Sequence, residues 1–288
     1  MFILNSRQLK ILIKLIIVFC LINILAFSYL WPSYFKEGNQ VYFLSVGEGD
    51  AELIRYHGSN ILIDAGPDRQ ILKALGRVLP LGEVIDLAVI THSNTDHYEG
   101  LQYVLQAYPV LSAIMPEVSN PSSTYKSLLE DLITAKTKLY LAKEGTSIKL
   151  SEENILKILW PLTNVINSST NLNSQALVIL YTDINKNFLF TSDISEKEEN
   201  KILALYPNLK TDILKIAHHG SKTSNSYNWL KALNPTYGII EVGENSYGHP
   251  TLETLKRLND LNILTLRTDW QGNIGFIFKK NGLFDLVY

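Results

Sequence analysis

Within THSNTDHYEG at 91–100, His92, Asp96 and His97 fall inside six residues. Imidazole and carboxylate are what zinc, manganese or iron takes when thiolate is absent. Thiolate is not on offer, because the one cysteine, Cys20, lies in an apolar N-terminal run. No disulfide within one chain and no cysteine zinc motif can therefore form. IDAG at 63–66, TSD at 191–193 and AHHGS at 217–221 also follow apolar runs. Each should set its polar residues at a strand's end, where loops gather into a site. Asp193 and His218 would then add ligands from distant strands, and the site would close only on folding.

These segments resemble the metallo-β-lactamase superfamily, whose signature is Thr-His-x-His-x-Asp-His. VGEGDAELI at 46–54, AHHGSKTS at 217–224 and YGHP at 247–250 look like the β-lactamase-like domain of ComEC-type DNA-uptake (competence) proteins. The resemblance covers about residues 41–260. It implies an α+β fold, a four-layer αβ/βα sandwich with metal at one rim, and metal-dependent hydrolysis. A phosphodiester, single-stranded DNA included, is the implied substrate class.

By position, the resemblance implies that His92 and Asn94 face a first metal, that Asp96, His97 and His218 bind a second, and that Asp193 bridges them. Asp96 and Asp193 would orient the attacking water, and Asp64 would hold the ligands from behind. His249 would protonate the leaving oxygen or touch substrate, a turn role being the alternative. Asn173 stands roughly where the group carries asparagine. The chain departs from the group at Glu48, where Gln is usual, at Ser45 for Asp, at Ser192 for Gly, and at Asn94 for His or Asp. No histidine lies between His97 and His218. A neutral amide is a weak ligand for a dication, so one divalent metal, Zn or Mn, should be held firmly and a second weakly.

Blander roles compete for some of these residues. His219 follows His218 on an expected strand end, where side chains alternate, so it should face away from the metal and contact substrate or a ligand. Ser221 and Lys222 suit either an anionic group or the cap of the next helix. His57, in the turn signal HGSN, reads as a surface residue. Two rival functions fit the same cleft: an amide, ester or β-lactam hydrolase, and a metal-poor binding protein at the cell surface.

The elements that must position these residues are strand-rich. VYFLSV, AELIRYH, NILIDAG and DLAVIT come first, with helices expected at Tyr98 to about Ala107 and Pro121 to about Ala135. ILKILW, ALVILY, FLFTSD, DILKIAHH and YGIIEV follow, with helices near 195–206, 225–233 and 250–260. Asn164–Asn173 is polar and reads as a loop. Two packed sheets with outer helices would give this order. After a linker at 37–40, residues 41–288 read as one domain.

Residues 1–36 are different. From Ile11 to Leu30 nearly every residue is apolar, and twenty residues at helical rise span about 30 Å, a bilayer's hydrocarbon core. Lys14 can snorkel to the headgroups, and Trp31 and Tyr34 suit the far interface. One N-terminal transmembrane helix is expected; a cleaved signal peptide, with Ala26 and Ser28 as the small residues before the cut, would instead yield a secreted protein. Arg7 and Lys10 precede the run, which places the N-terminus in the cytoplasm and the domain outside. The remaining chain holds 22 basic and 28 acidic residues, a net of −6. That balance argues against tight DNA binding by phosphate neutralisation alone.

Overall fold

The computed structural model describes residues 6–34, 38–117, 122–162, 171–183, 186–279 and 283–288, with the backbone alone at 6, 9 and 26–34. The chain divides after Glu37 into two units. The first is a 29-residue helix, Ser6–Tyr34. Its apolar side chains from Ile11 to Leu25 are exposed. Among the described residues, no helix is long and apolar enough to cross a membrane.

The second unit is built from strands β1 (Gln40–Phe43), β2 (Glu52–Tyr56), β3 (Ser59–Ile63), β4 (Ile85–Val89), β5 (Val110–Pro116), β6 (Lys138–Ala142), β7 (Ser147–Lys149) and β8 (Ile155–Trp160). It continues with β9 (Val178–Asp183), β10 (Lys186–Phe190), β11 (Ile213–Lys215), β12 (Tyr237–Ile240), β13 (Leu264–Arg267), β14 (Ile274–Phe278) and β15 (Phe284–Val287). Among the described residues these make two mixed sheets, ordered β15-β14-β1-β2-β3-β4-β5-β6 and β13-β12-β11-β10-β9-β8-β7.

Period-two alternation feeds apolar side chains to both faces of each sheet. In β1, Val41 and Phe43 enter the core between the sheets, while Tyr42 and, just after the strand, Leu44 enter the core beneath the outer helices. Phe188 of β10 meets Phe276 of β14 edge to face at 5.6 Å between centroids, across the two sheets. Helices Gln70–Leu75, Leu101–Ala107 and Ser123–Thr134 cover the first sheet through Ile71, Leu101, Val104, Leu128 and Leu132. Helices Glu196–Leu205, Tyr227–Leu233 and Leu252–Asp260 cover the second through Ile202, Trp229, Leu230 and Leu258. The result is the expected four-layer sandwich.

Some local expectations change. The helix expected from Tyr98 begins at Thr95 and breaks into Thr95–Tyr98 and Leu101–Ala107. Gly100 lies at the break because a Cβ there would meet the Ala65 carbonyl oxygen at 1.9 Å. Strands β5, β6, β7, β13, β14 and β15 and helices Gln70–Leu75 and Thr268–Gln271 lie outside the expected elements. Of the expected loop 164–173, residues 164–170 lie outside the described residues, and Asn173 opens a 3-10 turn, Asn173–Gln175. Pro121, expected to start a helix, is also outside them; the helix starts at Ser123. Gln40 belongs to β1 rather than to a linker.

Candidate metal centre

Parallel pairs bring the site segments together. Strand β3 runs parallel to β4, and β10 to β11. Asp64 follows β3, His92 follows β4, Asp193 follows β10 and His219 follows β11, so their carboxyl ends converge. Four non-glycine residues here have left-handed backbones: Asp64 (φ 53°), Ser192 (φ 49°), His218 (φ 53°) and His219 (φ 51°). Such conformations cost energy and persist where the surroundings over-determine them, often at functional sites.

His97 is fully buried. Its Nδ1 donates to Asp64 Oδ2 at 2.7 Å, and Asp50 Oδ2 lies 3.6 Å from the same nitrogen. Asp64 is held in turn by the Thr91 backbone N–H (2.8 Å) and hydroxyl (2.6 Å). His219, also buried, donates from Nδ1 to the Glu241 carbonyl at 2.9 Å, with Asp50 Oδ1 at 3.3 Å. Each ring is thus anchored by Nδ1, which leaves Nε2 facing inward. His97 Nε2 lies 3.5 Å from Asp193 Oδ2, and His219 Nε2 lies 3.4 Å from Asp96 Oδ2. Neither Nε2 has a hydrogen-bond partner among the described residues. The ligand atoms of Asp96, His97, Asp193 and His219 all lie within 4.8 Å of one another.

Two imidazole nitrogens and two carboxylates converging in this way are a donor set for Zn²⁺ or Mn²⁺, and anchoring the far nitrogen is how metal-binding histidines are oriented. Asp64 stands behind His97, on the side of the ring away from Asp193. His218 and His219 do not sit at a strand end. They occupy a 3-10 turn, Ala217–Gly220, so strand alternation does not sort them. That turn carries His219 into the four-residue group. His218 stays beside it, its Nε2 3.7 Å from Asp193 Oδ2 and its side chain 30% exposed.

His92 is buried with its ring 4.1 Å from that of His97. The Thr91 and Ser192 hydroxyls each lie 3.2 Å from its Nδ1, and its Nε2 has no partner among the described residues. Asn94 donates its amide N–H to Asn173 Oδ1 at 2.7 Å, which ties the two asparagines to each other. Ser221 is buried and shares a 3.0 Å hydrogen bond with Thr223, while Lys222 is exposed. The next helix is capped by Ser226, not by Ser221 or Lys222. His57 lies exposed in the β2–β3 turn.

Beneath the ligands lies a group that motif reading passes over. Lys215, fully buried in the last position of β11, contacts Asp50 Oδ2, lies 3.8 Å from Asp193 Oδ1 and donates to the Ser192 carbonyl at 3.1 Å. Glu52 and Glu241 are buried alongside Asp50. Asp50 sits inside VGEGDA, so its motif gave a signal. Lys215 gave none, being one cation at the end of an apolar strand.

Electrostatics divides the histidines. Burial, aided by the neighbouring His97 charge, pushes His92 down to about 3, so it is a neutral imidazole at pH 7. Burial would also lower His97 and His219, but carboxylates outweigh it: Asp193, Asp50, Asp96 and Asp64 around His97, and chiefly Asp193 and Asp50 around His219. Both are raised well above the ordinary imidazole value. Burial and repulsion from Asp50 push Glu241 up to about 8.

Residues 45–131 match the family model of the metallo-beta-lactamase superfamily. Its curated relatives include ComE operon protein 3 of Bacillus subtilis, 26% identical over 91% of this chain and 35% of that protein. Recombination protein 2 of Haemophilus influenzae is 28% identical over 85% of this chain and 29% of that protein. The chain thus spans about a third of the length of these relatives. Among solved structures, the metallo-beta-lactamase fold protein YhfI of Bacillus subtilis superposes with a TM-score of 0.53 at 12% identity, covering 79% of this chain and 95% of that one. That likeness is one of fold.

Proposed function

We propose that this protein is a metal-dependent hydrolase whose substrate is a phosphodiester, single-stranded DNA included. One observation carries the reading: Asp96, His97, Asp193 and His219 converge, with neither Nε2 hydrogen-bonded among the described residues. The resemblance to DNA-uptake proteins supports the phosphodiester class, as do relatives named for competence operons and recombination.

These four residues would hold the firmly bound divalent cation, with His218 beside them, and His92 with Asn94 would face the weaker position. A cation so held supplies Lewis acidity and lets water ionise near neutral pH. The chain's own residues do the rest. Asp64 and Asp50 fix the His97 ring, the Glu241 carbonyl fixes the His219 ring, and Asp96 and Asp193 orient the attacking water. His249, its ring centroid 5.6 Å from that of His218, would protonate the leaving oxygen.

We infer further that helix Ser6–Tyr34 is a membrane anchor, with the domain outside the cytoplasm. Supporting this are the apolar sequence run from Ile11 to Leu30 and the exposure of the apolar side chains from Ile11 to Leu25, from 42% at Leu12 to 68% at Phe19. Asn23 donates an amide N–H to the Phe19 carbonyl at 2.7 Å, so that donor is met within the helix. Hydrolysis of bis-4-nitrophenyl phosphate and single-stranded DNA by manganese- or zinc-loaded protein tests the function. Turnover of an ester or β-lactam but of neither phosphodiester would overturn it.

A further inference from the structure

The rim that carries the metal ligands also carries two large aromatic side chains that the core does not use. Strands β10, β11, β12 and β13 run parallel, so the residues that follow them gather along one end of the second sheet. Asp193 follows β10 and His219 follows β11. The loop 241–249 follows β12, and helix Thr268–Gln271 follows β13. Tyr247 lies in that loop and Trp270 in that helix, with 75% and 71% of their surface exposed. Neighbouring strands are about 4.8 Å apart, so ligands and aromatics share about 14 Å of rim. Both rings are held in place. The Tyr247 backbone N–H donates to Asn245 Oδ1 at 3.1 Å, and the Asn245 amide donates to the Gly243 and His249 carbonyls, both at 2.9 Å. The Tyr247 ring stacks on the His249 ring at 5.6 Å and 26°, which leaves its outer face in solvent. Thr268 ties the Trp270 helix to Val242, accepting its N–H at 3.0 Å and donating to its carbonyl at 3.1 Å. The Arg267 guanidinium lies 4.0 Å from the centre of the Trp270 ring, and Asp269 balances its charge at 2.7 Å.

We propose that Tyr247 and Trp270 are stacking platforms for nucleobases, so that the site takes a single-stranded oligonucleotide by its bases as well as by the phosphate that is cut. This rests on the phosphodiester reading above. The His249 ring, on which Tyr247 stacks, lies 6.3 Å from that of His219, so Tyr247 receives the base beside the scissile phosphate. Trp270 follows the next strand along the rim and receives a base further down the strand. Rings held in one orientation lose little freedom when a base lands on them. Charge explains why stacking has to carry the grip. Residues 37–288 hold 22 basic and 28 acidic side chains, so neutralising a run of phosphates contributes little. Every base has a π-face, so this grip tolerates any sequence.

Substrates that lack a base separate stacking from a structural role. With full-length metal-loaded protein in detergent, Tyr247→Ala should raise KM for a thymidine dinucleotide by about 5–150-fold, the equivalent of about 1–3 kcal/mol per stacked base, with kcat little changed. Tyr247→Trp should keep the natural KM. Of the two dinucleotides with one abasic sugar, one should show the same rise with the natural protein and no further rise with Tyr247→Ala. Trp270→Ala should leave the dinucleotide alone and raise KM for octathymidylate. Between 50 and 200 mM salt that KM should change by less than about tenfold, whereas a strand held by six phosphates would lose more than about 10²-fold. Equal losses with and without the base, or a steep salt dependence, would overturn the proposal. Binding is read without turnover by titrating a hydrolysis-resistant phosphorothioate octathymidylate: it should quench indole emission in the natural protein and not in Trp270→Phe. No quenching would refute the platform. Quenching by a protein that cleaves none of these esters would count against the phosphodiester reading and uphold the platform.

Discussion

Replacing Lys215 with methionine should be among the most damaging single changes in the domain, although Lys215 belongs to none of the ligand-bearing motifs. The ammonium is fully buried between Asp50 and Asp193. Methionine keeps most of the volume but leaves Asp50, 1% exposed, facing two histidines and no permanent cation. Removing one partner of a buried pair costs about 3–5 kcal/mol. At about 2–4 °C per kcal/mol for a domain of this size, the midpoint should fall by about 6–20 °C. Urea unfolding of chelator-treated protein at pH 7 reads this directly. The pH dependence has a definite sign. Burial alone would raise Asp50, but Lys215 leads the charges that hold it below the ordinary carboxylate range. Its contribution is therefore present above the unfolded carboxylate value, about 3.9, and is lost as pH falls through the lowered folded value. The penalty of Lys215→Met should be level from pH 5 to 8 and shrink in acid. Asp50→Asn combined with Lys215→Met should be less harmful than the sum of the two, by about 1–3 kcal/mol. A penalty under about 1 kcal/mol at pH 7, or strict additivity, would refute this electrostatic account of the site's floor.

Three other outcomes are expected. Asp193→Ala and His97→Ala should each abolish phosphodiester hydrolysis while circular dichroism keeps its native shape; unchanged turnover in either would mean that the site lies elsewhere. Because carboxylates raise His97 and His219, both are protonated in the metal-free protein at pH 7. Those protons stabilise the metal-free fold below the unfolded value of about 6.5, and the gain is lost as pH rises through the raised folded values. A cation must displace them, so calorimetry in buffers of different ionisation enthalpy should show about two protons released per metal, with affinity rising with pH; metal uptake without proton release would contradict these assignments. Protease added to intact cells should degrade the domain, and full protection would reverse the proposed orientation.

The parts of the site legible in the sequence were those where an apolar run stops on polar residues. NILIDAG and DLAVIT each end a buried strand on a site loop, so Asp64, His92 and His97 could be placed from spacing. The two histidines of AHHGS could not be sorted, because the choice depends on left-handed backbone at both residues, a tertiary outcome. Lys215 was hidden by its setting: nothing in DILKIA says that its cation meets Asp50, more than 160 residues earlier. Among the strands, Lys138–Ala142 is an exposed edge whose KLYLA shows no buried alternation. Strand β14 returns from the far end of the chain to pair with β1, a long-range contact that no local pattern announces. That Asn94 offers a neutral amide rather than a charge was legible from residue type alone; its hydrogen bond to Asn173 was not.

The central claim is that Asp96, His97, Asp193 and His219 hold one divalent metal firmly. Elemental analysis of protein purified without chelator, comparing the natural sequence with His219→Ala, His218→Ala and Asn94→Asp, tests it most directly. One tightly held metal per chain is expected, lost in His219→Ala and largely kept in His218→Ala. Asn94→Asp, by adding a carboxylate beside His92, should raise the count toward two. Two equally tight metals in the natural sequence, or full retention in His219→Ala with loss in His218→Ala, would contradict the account.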